Sequence, residues 1–128
     1  MRKWIVLLAS IGGAFFYLRT HYYLIDVLDY ARSHKDSMFA SAPVEYYVGL
    51  VYYMREKYEP ATRAFNQMLA DFPQSSYREG ATYRLAQSYE EMRDWPNARQ
   101  SYEKYFEEFP TGKNMVVARG RYEHIKFN

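Results

Sequence analysis

Two stretches of this chain repeat one another at an offset of 37 residues: Gly49, Tyr52, Ala61, Phe65 and Pro73 in the first are answered by Ala86, Tyr89, Ala98, Tyr102 and Pro110 in the second. A period of this length marks stacked supersecondary units, none of which can bury its apolar face without a neighbour. Inside each unit the apolar residues recur three and four apart, which is helical spacing. The chain is therefore expected to be all-α, a short solenoid of two full repeats plus a capping helix. Arrays of this kind present extended surfaces to other proteins.

Proline and serine punctuate the elements. Helix A of the first repeat is predicted from Val44 to Arg55, after a connector that ends at Pro43, and helix B from Pro60 to Asp71. Pro60 falls in the first turn, where a missing N–H costs nothing. Pro73 stops that helix. Ser76 with Glu79 three residues on reads as a capping box, opening a helix to Met92. Asp94-Trp95-Pro96 turns the chain into the last helix B, which Phe109-Pro110 ends. Ala118 lies eight residues past Pro110, as Ala81 lies eight past Pro73, so one more helix A closes the array.

These residues resemble the tetratricopeptide repeat, with its small residue and Tyr in helix A, its Ala and aromatic in helix B, and its closing Pro. The match covers residues 42–110 and departs at Glu45, where a large aromatic is usual. The extra three residues over the ordinary spacing of about 34 fall in the turn after Pro73. That Phe-Pro-x-Ser turn resembles the variant in bacterial envelope proteins, among them barrel-assembly lipoproteins. The resemblance implies a protein-binding adaptor or accessory subunit, not an enzyme, with no cofactor. It also implies a concave groove lined by the A helices, at Tyr46, Leu50 and Tyr53, then Tyr83, Arg84, Gln87 and Glu90, then Arg121. Such a groove suits an extended peptide or a partner helix carrying an apolar anchor and an acidic residue.

Composition narrows the alternatives. Twenty per cent of the residues are aromatic and fifteen are tyrosines, which suit a thin solenoid because the ring packs while the hydroxyl stays wet. Residues 36–110 hold 8 basic against 12 acidic side chains, while residues 111–128 hold Lys113, Arg119, Arg121 and Lys126 against Glu123 alone. An acidic body argues against nucleic acid. The three histidines lie at 21, 34 and 124 without a carboxylate or second histidine at ligand spacing, so no metal site is expected. With no cysteine there is no disulfide, no thiol nucleophile and no thiol to carry a lipid.

Whatever holds these residues to a membrane must then be peptide. Trp4 to Leu18 is uncharged, between Arg2-Lys3 and Arg19. At about 1.5 Å per residue this run falls short of the roughly 30 Å hydrocarbon core, and its aromatic and basic flanks extend it. Domain limits are read as 1–20 for an anchor or signal, 21–41 for a leading helix and connector, and 42–128 for the repeats. Gly12-Gly13-Ala14 offers a signal cleavage site, giving a secreted periplasmic protein as the alternative. The bulk of Phe15, Phe16 and Tyr17 favours retention. The expected topology is an inner-membrane anchor with a cytoplasmic amino end and periplasmic repeats. Ala9 with Gly13, and Ser10 with Ala14, are small residues four apart that would let two membrane helices approach. A third reading is a structural small subunit of a membrane complex, with no ligand in the groove.

Overall fold

The computed structural model describes residues 10–14, 33 and 41–128. Residues 10–14 are helical. From residue 41 five helices follow: α1 (Ala42–Met54), α2 (Tyr58–Asp71), α3 (Arg78–Glu91), α4 (Trp95–Glu108) and α5 (Met115–Ile125). Among the described residues there is no strand. Each helix packs on the next, and α1 also touches α3, so A helices adjoin one another. Turns 55–57 and 92–94 close the two hairpins, and the longer turns 72–77 and 109–114 link successive repeats, which is where the extra residues of the period lie.

Both short turns use one backbone device. After α1 the N–H of Lys57 donates to Tyr52 O at 2.9 Å and that of Glu56 to Tyr53 O at 3.0 Å; after α3 the N–H groups of Asp94 and Arg93 do the same to Tyr89 O and Glu90 O, both at 2.9 Å. These are Schellman closures, and they place Glu56 at φ 60 and Arg93 at φ 57. Side chains other than glycine are strained there. Arg93→Gly should therefore raise the unfolding free energy by about 0.5–1 kcal/mol, the relief exceeding the entropy that glycine costs, read as a higher midpoint in urea titration.

The start of α3 differs from the capping-box expectation. Residue Ser75, not Ser76, turns the chain, its Oγ accepting from the Tyr77 N–H at 3.1 Å. Glu79 does not reach back to a cap. Its Oε1 instead accepts from the Tyr105 hydroxyl at 2.8 Å, while that hydroxyl accepts from the Asn114 N–H at 3.1 Å, tying α3 to the α4–α5 turn. A Cβ on Gly112 would collide with the Tyr105 hydroxyl oxygen, so this turn needs glycine for close approach. At α4 a side-chain cap does form, Asp94 accepting from the Asn97 N–H.

The core is one cluster per repeat. Val48, Tyr52, Ala61, Ala64, Phe65, Met68, Ala81 and Leu85 make the first; Tyr83, Ala86, Ala98, Tyr102, Tyr105, Ala118 and Ile125 make the second. Close approach also explains Gly49 in helix α1: a Cβ there would lie 2.6 Å from the buried Phe65 ring. In α5 the positions 37 residues beyond Ala86 and Tyr89 are Glu123 and Lys126, which pair with each other. Where the earlier A helices receive a helix B, α5 carries this charged pair.

No helix among the described residues is long and apolar enough to cross a membrane. The expected span Trp4–Leu18 lies outside the described residues except for 10–14. Ser10, Gly13 and Ala14 are exposed, and Ala9 lies outside the described residues, as does the leading helix apart from Ser33.

Candidate functional site

The A helices α1, α3 and α5 carry the expected groove residues, whose side chains meet in two groups, one between α1 and α3 and one between α3 and α5. On α1, Tyr46, Leu50 and Tyr53 are half-buried, falling three and four apart on one side of the helix. On α3, the Arg84 guanidinium lies 5.3 Å from the centre of the Tyr53 ring and 5.8 Å from that of Tyr83. Its Nη1 donates to Gln87 Oε1 at 2.9 Å, and the Gln87 amide in turn donates to the Tyr83 hydroxyl at 3.1 Å. Tyr83 and Gln87 are themselves buried, 7% and 4% exposed, so they sit beneath the groove and hold Arg84 rather than line it.

Further along α3, Glu90 is the meeting point of three helices. Its Oε2 accepts from the Tyr102 hydroxyl of α4 at 2.5 Å and pairs with Arg121 Nη1 of α5 at 3.0 Å. The repeat pattern marks Tyr102 only as the aromatic of helix B, a residue for the layer between helices. Its ring does fill that layer, but nothing in helical spacing reveals that its hydroxyl crosses to Glu90. A recess of about 330 Å³ opens at the other end, lined by Tyr46, Tyr47, Leu50, Ser76, Tyr77, Glu79, Gly80 and Lys113. The rings of Tyr46 and Tyr77 stand 5.1 Å apart within it. Tyr77 and Lys113 come from the two long turns, which the repeat pattern does not reach.

Electrostatics follow from burial. The Tyr102 phenol is pushed far above its ordinary value, first by burial and then by its hydrogen bond to Glu90. Burial and the bond to Glu79 push Tyr105 up to about 12. Tyr46 and Tyr53 are also raised by burial, with Arg84 opposing the rise. Burial works against the Arg121 charge, but the hydrogen bond and attraction to Glu90 outweigh it and hold the group protonated.

These phenols make stability depend on alkali. A proton bound more tightly in the folded state contributes stability that is whole below the unfolded value of about 10 and is lost as pH rises through the folded one. Urea midpoints should stay level from pH 7 to about 9.5 and then fall, through about 12 for Tyr105 and beyond for Tyr102. In the double variant Tyr102→Phe/Tyr105→Phe the fall should be shallower.

Among the described residues no three His, Cys, Asp or Glu side chains are grouped to hold a metal ion. What the groove offers instead is ring faces, a stacked guanidinium and fixed hydroxyls, the means of gripping a polypeptide. A family model described as YfiO, outer membrane lipoprotein, matches residues 40–120. That span takes in every groove residue except Arg121. No curated protein matches the chain.

Proposed function

Because the chain belongs to the YfiO family of outer membrane lipoproteins, we propose that it is a non-catalytic adaptor or accessory subunit that binds a protein partner in a bacterial envelope complex. One observation carries this reading: polar and aromatic side chains of successive A helices meet across both helix boundaries, Tyr53 of α1 with Arg84 of α3 and Glu90 of α3 with Arg121 of α5. A helix face that only covered a core would not need a stacked arginine and a shared carboxylate.

Attachment is read from the peptide. The residues contain no cysteine to carry a lipid, so the run Trp4–Leu18 between Arg2-Lys3 and Arg19 is the proposed anchor, placing the repeats on the periplasmic side. Intact mass of the protein recovered from membranes should include residues 1–14. A mature chain starting near Phe15 would replace the anchor with a cleaved signal.

To test the groove, the full chain is used to capture its partner from mildly solubilised envelopes, and the partner is then titrated against variants. Tyr53→Ala should cost about 2 kcal/mol of affinity, as central aromatics do, while the exposed Arg63→Ala on α2 leaves affinity unchanged. Equal affinity for both would leave the protein a structural subunit bound through its other surfaces.

A further inference from the structure

Arg84 differs from the other arginines of this face. Arg121 is paired with Glu90 at 3.0 Å and Arg78 with Glu108 at 2.6 Å, but among the described residues Arg84 meets no carboxylate at ion-pair distance. Neutral groups hold it: the Gln87 amide oxygen and the Tyr53 and Tyr83 ring faces. Gln87 is buried and its own amide is tied to Tyr83, so its oxygen is fixed toward the guanidinium. The result is a half-buried cation, oriented in advance, whose charge is not balanced by a direct partner. Such a charge loses hydration without regaining it, and a planar fork of N–H donors matches a carboxylate.

Beside it lies the aromatic recess. Leu50 lines the recess, and Tyr53, one turn on along α1, stacks with Arg84. A Cβ at Gly80 would come within 2.7 Å of the Tyr46 oxygen, so glycine lets this ring lie where it does. We propose that Arg84 receives the side-chain carboxylate of an Asp or Glu in an extended partner segment, with a large apolar residue of that segment seated in the recess. The two features lie one helical turn apart along α1, so at about 3.3 Å per residue the acid lies within about two residues of the anchor.

This proposal rests on the groove reading, and the experiment separates the two. The probe is a displayed library of short random peptides selected on the full chain in detergent. Selected peptides should carry one Asp or Glu next to a large apolar residue, and replacing that acid by its amide should weaken binding about tenfold, the worth of a charge-assisted hydrogen bond. Arg84→Gln should bring the acid peptide down to the amide peptide and leave the amide peptide unchanged, while Arg84→Lys keeps part of the preference. Because the acid-to-amide swap is made on the peptide, it tests the wild-type chain even if Arg84→Gln folds poorly. Selected peptides that lose affinity with Tyr53→Ala but show no acid preference overturn the Arg84 assignment alone. Peptides indifferent to Tyr53→Ala overturn the groove reading with it.

Discussion

Phe65→Ala should lower the unfolding free energy by about 3–5 kcal/mol, the range for emptying a fully buried aromatic site. The ring is wholly buried, it lies against the Gly49 backbone, and its centroid is 6.0 Å from that of Tyr46. Collapse around the void is resisted because α1 and α2 are held by the Lys57 N–H bond to Tyr52 O and by the short turn. Gly49→Ala provides the opposite test. In an exposed helix that change would stabilise by about 1 kcal/mol, yet here the added methyl meets a ring with nowhere to move, so the net effect should be destabilising. The double variant should lose less than the two singles together, because the methyl occupies part of the void. Urea unfolding of all four proteins measures each term. Additive losses would mean that Gly49 and Phe65 do not share one layer.

A second large effect is expected at Ala98. This residue is fully buried against Tyr83, Ala86 and Tyr102 where α3 and α4 touch. Ala98→Trp should cost about 3 kcal/mol or more, at or beyond the upper end of ordinary overpacking, because an indole needs space that two helices in contact do not have. The thermal midpoint should drop sharply, while Arg63→Ala on the exposed side of α2 leaves it in place. An Ala98→Trp variant that melts with the parent would put the interface of the second repeat elsewhere.

The repeat was legible because its rules are local and steric. Only a small residue admits a helix at close range, so Gly49, Ala61, Ala86 and Ala98 stand out of any background, and each proline marks a helix end. That is enough for an all-helical stack with two hairpins and a last A helix. Boundaries moved by a few residues, as at α1, which begins at Ala42 instead of Val44. The groove was half legible. Helical spacing set Tyr46, Leu50 and Tyr53 on one side of α1, but it could not say that Tyr83 and Gln87 are buried beneath the surface they were expected to line.

Among the described residues, the order and pairing of the helices follow from the pattern of small and aromatic residues, since these are set by volume and by a period of about 3.6 residues. Which polar atoms meet does not. Glu79 reads locally as a cap and is drawn instead to Tyr105 and Asn114, 26 and 35 residues away, because a partly buried carboxylate goes to the best donors within reach. Tyr102 joins Glu90, and Glu90 joins Arg121, only once three helices stand side by side. Among the described residues Arg84 has no carboxylate at ion-pair distance for the same reason: packing decided which charges found a partner.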